Sequence, residues 1–151
     1  MIDYLRDVLK AYGKWRLESK QAILEYLERF QISNKIYCPF SWLSRGQTYK
    51  VALTALLVAQ PELWLLDEPF ASGLDGLGMD VLRREMHAAL QNGSSIIYST
   101  QILEIAQSLD TRIAILDRGR LQALGTMEQL QNTSSCSGGL LEIMKRLTDK
   151  S

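Results

Sequence analysis

The stretch Leu63-Trp64-Leu65-Leu66-Asp67-Glu68-Pro69 decides the fold class. An apolar run over 62–66 that ends in two acids is typical of a parallel strand buried on both faces. Acids at the carboxyl end of such a strand lie where α/β proteins bind ligands. Because neighbouring strand residues point to opposite sides, Asp67 suits a magnesium ion, and Glu68 suits a base or water-positioning group near a γ-phosphate. Taken alone, the pattern also fits a strand that ends in solvated acids.

Strands and helices alternate after this stretch. Helices are predicted at 79–90 and 102–109, strands at 95–99, 112–116 and 121–124, with a tight hairpin turn at 117–120. Before it, apolar residues recur at helical spacing in 2–12 and 22–30, a loop covers 33–41, and an Ala- and Leu-rich helix covers 47–59. This order predicts an α/β fold with a parallel sheet and a small helical subdomain in front.

The remaining segments set the predicted domain limits. Thr126 can cap a helix through Leu130, 132–139 reads as a flexible linker, and 140–147 as an amphipathic helix. The predicted division is therefore a helical subdomain at 1–44, a core segment at 45–131, and the linker with its helix at 132–151.

Composition excludes several classes of protein. Seventeen basic residues balance seventeen acidic ones among 151, so no global field favours nucleic acid or a membrane surface. The N-terminus lacks the pattern of a signal peptide, and no apolar run reaches the roughly 18 residues of a membrane span. Cys38 and Cys136 lack metal-ligand spacing, and His87 is the single histidine. A soluble chain with free thiols, and without a site that needs two imidazoles, is expected.

A second motif, Leu43-Ser44-Arg45-Gly46-Gln47, immediately precedes the predicted helix. Ser44 can cap that helix, and Gly46 allows the backbone to approach a ligand closely. Unpaired N–H groups at a helix N-terminus, together with the helix dipole, favour an anion. A plain helix cap without a ligand is the alternative.

The motifs occur in an order that resembles the ATP-binding cassette (ABC) ATPases. LSRGQ resembles the signature, LLDEP the Walker B strand, and Ser72-Gly73-Leu74-Asp75 the D-loop, while the stretch from Ser95 onward resembles the H-loop region. The resemblance covers about Ile2 to Leu130. It implies a partial P-loop NTPase (RecA-like) parallel sheet with a small N-terminal helical subdomain.

The resemblance also implies a site for ATP and Mg²⁺ between two protomers. The signature residues Ser44, Arg45, Gly46 and Gln47 would bind the nucleotide, with Ser44 and Gly46 at the γ-phosphate of ATP held by a partner. Asp67 would hold Mg²⁺, and Glu68 would polarise the attacking water. Ser72 and Asp75 would link the two sites across the dimer, and Gln101 stands at the H-loop position.

Three departures from the family pattern bear on catalysis. Residues 1–151 contain no G-x-x-x-x-G-K-[ST], the loop that cradles the β- and γ-phosphates and that the family places upstream of the helical subdomain. Gln101 replaces the H-loop histidine; it can donate a hydrogen bond but is never charged. Arg45 stands where glycine is most common. Hydrolysis by this chain alone is therefore expected to be slow or absent.

The leading hypothesis is an ATP-binding subunit of an ABC transporter, complete or truncated. Its partners would be a second ABC ATPase subunit, identical or different, and a transmembrane subunit that holds it at the cytoplasmic face of the membrane. One alternative is a non-catalytic interaction module that presents its signature face to a complete partner ATPase. Another is an α/β domain unrelated to nucleotides. Near-neutral charge and the lack of a coiled-coil insertion weigh against DNA-repair members of the superfamily, and no nucleic acid partner is expected.

Overall fold

The computed structural model describes residues 1–71, 73–109 and 111–148. The chain divides into two compact units, Met1–Ser99 and Thr100–Ser151. The predicted limits after 44 and 131 do not coincide with this division. One physical reason lies in the first unit, where the helices before residue 44 pack directly on the helix that follows it.

The first unit combines four helices with a two-stranded sheet. Its elements are α1 (Ile2–Ala11), α2 (Ser19–Arg29), α3 (Arg45–Ala59), β1 (Leu63–Leu66), α4 (Gly76–Gln91) and β2 (Ser95–Tyr98). Short 3-10 turns occur at 33–35 and 40–42, and the second extends one residue past the predicted loop at 33–41. Leu5 and Leu9 of α1, and Ile23 and Leu27 of α2, are fully buried at the four-residue spacing that places side chains on one helix face.

Strands β1 and β2 pair in parallel, with Leu63 opposite Ser95 and Leu66 opposite Tyr98. Burial alternates along β1: Trp64 is 3% exposed, whereas Leu65 is 68% exposed, and Ile97 of β2 is 64% exposed. The prediction of a strand buried on both faces is therefore wrong for the described residues. Helix α4 packs on β2, and one packed layer of this kind covers only one face of a sheet.

The second unit is a hairpin packed with three helices. Its elements are α5 (Leu103–Ser108), β3 (Ile113–Asp117), β4 (Arg120–Gly125), α6 (Met127–Ser134) and α7 (Leu140–Thr148). The strands β3 and β4 are antiparallel, as the predicted hairpin requires, and among the described residues they form a two-stranded sheet of their own. The predicted tight turn is confirmed, because Arg118 and Gly119 both have positive φ (46° and 75°), as a two-residue hairpin loop with right-handed strand twist requires.

The segment after α6 differs from its prediction. Thr126 caps α6 as predicted, since its hydroxyl accepts from the Gln129 N–H at 3.3 Å and its own N–H donates to the Gln129 side chain. The helix continues to Ser134, and Cys136 is buried in the core of this unit. The first residues of the predicted linker are therefore helical, because the Ser134 hydroxyl bonds the Leu130 carbonyl at 2.8 Å and Cys136 packs inward. Among the described helices, none has the length and apolar character to span a bilayer.

Candidate functional site

The start of α3 carries a complete capping box. The Gln47 N–H donates to Ser44 Oγ at 3.2 Å, and the Ser44 N–H donates to Gln47 Oε1 at 3.0 Å. The predicted cap is therefore confirmed. Capping uses the acceptor capacity of the Ser44 hydroxyl and leaves its hydrogen for another acceptor. A fifteen-residue helix whose first turn faces solvent suits an anion there.

Gly46 is required by a contact inside the chain. A Cβ built on Gly46 would lie 2.5 Å from the carbonyl oxygen of Gly73, closer than real Cβ atoms come. Gly73 itself has φ 86°, a conformation that favours glycine. The sequence suggested that Gly46 admits a ligand; the structure adds that it admits the backbone of the 73–75 loop, which in the resemblance is part of the D-loop.

Residues from the start of α3 and from the 73–75 loop line one depression of about 250 Å³. Its lining residues are Gln31, Ile32, Ser44, Gly46, Gln47, Lys50, Gly73 and Asp75. Four of the predicted cofactor-binding residues thus come together. Arg45 is exposed at the first position of α3 and is not among the lining residues, and Ser72 lies outside the described residues.

A buried lysine joins the two sides of the depression. Lys50 Nζ lies 2.7 Å from Asp75 Oδ2 and donates to the Phe30 carbonyl at 3.0 Å. The hydrogen bond from Lys50, followed by that from the Gly78 N–H, holds the pKa of Asp75 below its ordinary value. Sequence reasoning missed Lys50. A charged residue immediately before the apolar run Val51–Ala59 was nevertheless a visible signal.

The two acids stand at the end of β1, where the sequence predicted them. Ser99 donates to Asp67 Oδ1 at 2.6 Å and accepts from the Glu68 N–H at 2.9 Å. Glu68 has φ 45°, a left-handed conformation that costs free energy outside glycine and is often found at functional sites. Sequence reasoning also missed Ser99. The parallel register pairs Leu66 with Tyr98, so the residues that follow them, Asp67 and Ser99, lie side by side.

Asp67 fits a magnesium ion whose other ligands come from elsewhere. Ser99 bonds one carboxylate oxygen and Asp67 is exposed, so the second oxygen can reach an ion. Among the described residues no group of three or more His, Cys, Asp or Glu side chains could hold a metal. Mg²⁺ is typically bound by one or two carboxylates together with phosphates and water, so this donor set suits an ion that arrives with a nucleotide.

Gln101 lies between β2 and α5, in the second unit. Its predicted contact with a γ-phosphate stays a prediction. His87 lies in α4 and is exposed.

Comparison with known proteins agrees with the family that the sequence resembles. A family model described as ABC transporter matches residues 4–71. The chain is 29% identical over 131 residues to the ABC-type transporter ATP-binding protein EcsA of Bacillus subtilis, covering 87% of this chain and 53% of that protein. It is 35% identical over 113 residues to the cobalt import ATP-binding protein CbiO of Rhodobacter capsulatus, covering 75% and 40%.

A solved structure described as the ATP binding subunit of an ABC transporter superposes with a TM-score of 0.91 at 28% identity. The match covers 97% of this chain and 61% of that one. The chain thus spans about half the length of the curated relatives it matches.

Proposed function

The chain belongs to the ABC transporter family of ATP-binding domains, and from this membership we propose that it acts in an ATP-binding subunit whose signature face receives the γ-phosphate of ATP. One observation carries the proposal: the capping box at Ser44 and the 73–75 loop line a single depression at the positive end of α3. The transported substrate of a relative, such as cobalt for CbiO, is not assigned to this chain.

The residues have distinct tasks in this proposal. The Ser44 hydroxyl and the backbone N–H groups at the start of α3 donate to phosphate oxygens. Asp67 would hold Mg²⁺, and the bound ion would offset the negative charge of the phosphates. Glu68 orients the attacking water and accepts its hydrogen bond, while Ser99 fixes the backbone and carboxylate on which both acids depend.

The β- and γ-phosphates also need a cradle of backbone N–H groups and a lysine. Residues 1–151 contain no G-x-x-x-x-G-K-[ST], and we propose that another polypeptide segment supplies that loop. In our proposal the nucleotide lies between that segment on a partner protomer and the Ser44 face of this chain, and a transmembrane subunit completes the assembly at the cytoplasmic side of the membrane. Without the loop, the isolated chain hydrolyses ATP slowly or not at all.

Titration of the ¹⁵N-labelled chain with Mg-ATP, followed by NMR, tests the signature face. We expect the amide shifts to include 44–47 and 73–75, with an apparent Kd of about 1 mM or weaker, because the phosphate cradle is missing. ADP and AMP should give smaller shifts at the same amides, since neither has a γ-phosphate.

A matched pair of variants controls for helix capping. Ser44→Ala and Thr126→Ala each remove the hydroxyl of a capping box, and each should cost about 1 kcal/mol of stability. Only Ser44→Ala should abolish the ATP-dependent shifts. Shifts that leave 44–47 and 73–75 unaffected, equal shifts with AMP, or micromolar affinity would each contradict the proposal.

A further inference from the structure

Lys50 is the most buried charged side chain among the described residues, with 6% of its surface exposed. An ammonium group in such a place is costly unless it is paired and hydrogen-bonded. Lys50 meets this requirement with two partners, the Asp75 carboxylate and the Phe30 carbonyl. Because one partner lies 20 residues before it and the other 25 residues after it, the contact joins three separate parts of the first unit.

Both partners of Lys50 are helix caps. Phe30 is the C-cap of α2, where the carbonyl end of the helix dipole favours a cation. Asp75 is the N-cap of α4, and its Oδ1 accepts from the Gly78 N–H at 2.8 Å. The ammonium of α3 therefore bridges the negative end of one helix and the carboxylate that caps the positive end of another.

The position of Asp75 determines where the preceding residues of its loop can lie. Gly73 packs on Gly46 so closely that a methyl group between them would clash with the Gly73 carbonyl. The Asp75 side chain is 59% exposed, so Coulomb attraction alone is weakened by solvent. The short bond from Lys50, which is buried and also bonded to the Phe30 carbonyl, supplies the geometric constraint that an exposed ion pair lacks.

We propose that Lys50 is a positioning residue that holds the 73–75 loop against the first turn of α3, so that the loop and the signature meet a bound nucleotide as one surface. The assignment rests on the proposed function, because the nucleotide is the ligand that this surface would meet. Lys50 itself contacts no reacting atom; it acts through Asp75.

NMR of the full chain without nucleotide tests the anchoring. Lys50→Met removes the charge but keeps a long apolar side chain, and Lys10→Met, at an exposed site on α1, is the control. We expect Lys50→Met to lower the ¹⁵N heteronuclear NOE at Gly73 and Leu74 and to raise the pKa of Asp75 towards its ordinary value. Lys50→Arg should restore the NOE, while Lys10→Met should leave all of these unchanged.

Asp75→Asn tests the same contact from its other partner. Asparagine is also a good N-cap, but the substitution removes the charge that Lys50 contacts. It should reproduce the loss of order in the loop, and the double variant with Lys50→Met should add nothing further. If Lys50→Met does not fold, Asp75→Asn carries the comparison. A loop that stays as ordered in both variants as it is in the unaltered chain overturns the assignment.

Mg-ATP then separates this proposal from the one on which it rests. In the unaltered chain we expect shifts at Ser44 and at Gly73; in Lys50→Met only those at Ser44 should remain. Unchanged shifts at both positions in Lys50→Met overturn the positioning role. If the unaltered chain shows no shifts with Mg-ATP, the proposed function fails, and the nucleotide-free measurements still decide whether Lys50 anchors the loop.

Discussion

Single polar atoms define the geometry of this site at the residue scale. The Ser99 hydroxyl bonds both the Asp67 carboxylate and the Glu68 N–H, and it thereby stabilises the left-handed backbone of Glu68. Gly46 is equally constrained, because the Gly73 carbonyl occupies the space that a side chain would need. The identity of these residues is therefore explained by contacts within the chain before any ligand is considered.

Gly46→Ala should be destabilising because its methyl group would displace the Gly73 carbonyl. Overpacking of this kind costs about 1–3 kcal/mol. Gly76→Ala is the matched control, since no atom lies within 4 Å of its built Cβ and it occupies the first position of α4. Urea unfolding should show a lower free energy of unfolding for Gly46→Ala and an unchanged or slightly higher one for Gly76→Ala. Equal values for the two variants would refute the steric argument.

At the scale of elements, a polar cluster connects α2 to α4. Tyr26 Oη donates to Glu85 Oε2 at 2.8 Å, and Arg29 forms an ion pair with the same carboxylate while its guanidinium lies 5.1 Å from the Tyr26 ring centre. Burial, followed by the hydrogen bond to Glu85, raises the pKa of Tyr26 to about 12. The two helices are thus joined by a group whose protonation matters at alkaline pH.

The raised pKa of Tyr26 predicts a loss of stability with rising pH. Above pH 10.0 the tyrosine of the unfolded chain loses its proton while that of the folded chain keeps it, so the contribution present below 10 is lost as the pH rises towards about 12. Tyr26→Phe should cost about 1 kcal/mol at neutral pH and reduce this alkaline loss.

Denaturant unfolding on both sides of pH 10, with phenolate absorbance, checks the sign. Tyr37→Phe is the control, because Tyr37 is 80% exposed and its removal should alter neither the neutral stability nor the alkaline slope. An alkaline slope that is identical in Tyr26→Phe and the unaltered chain would contradict the prediction.

At the scale of the whole molecule, the first unit presents an apolar sheet face. Leu63, Leu65 and Ile97 are each more than half exposed, and among the described residues β1 and β2 pair only with each other. Exposed apolar patches and unpaired strand edges favour association.

The chain by itself should therefore self-associate through this face. Leu65→Thr combined with Ile97→Thr places a polar, β-branched residue that suits a strand at both positions. The double variant should show less association by sedimentation velocity over a range of protein concentrations. Leu17→Gln, at a site 93% exposed in the loop before α2, should leave association unchanged. Association that persists in the double variant would exclude the sheet face as its cause.

The sequence by itself determined the features that depend on neighbouring residues. Helical periodicity predicted α1 and α2, the Ser44 and Thr126 caps follow from side chains within three residues, and Gly119 permits the hairpin turn. The order of the motifs was sufficient to identify the family. These features rest on local hydrogen bonds and local backbone preferences, which a linear pattern records directly.

Only the tertiary structure decided the contacts between distant segments. The bonds of Lys50 to Asp75 and of Ser99 to Asp67 span 25 and 32 residues, and the contact of Gly46 with Gly73 depends on how α3 meets the loop before α4. The one-sided burial of β1 likewise depends on what covers the sheet, not on the apolar run itself. The physical reason is the same in each case: packing between elements determines which groups lose water and which find a partner, and periodicity along the chain carries no record of it.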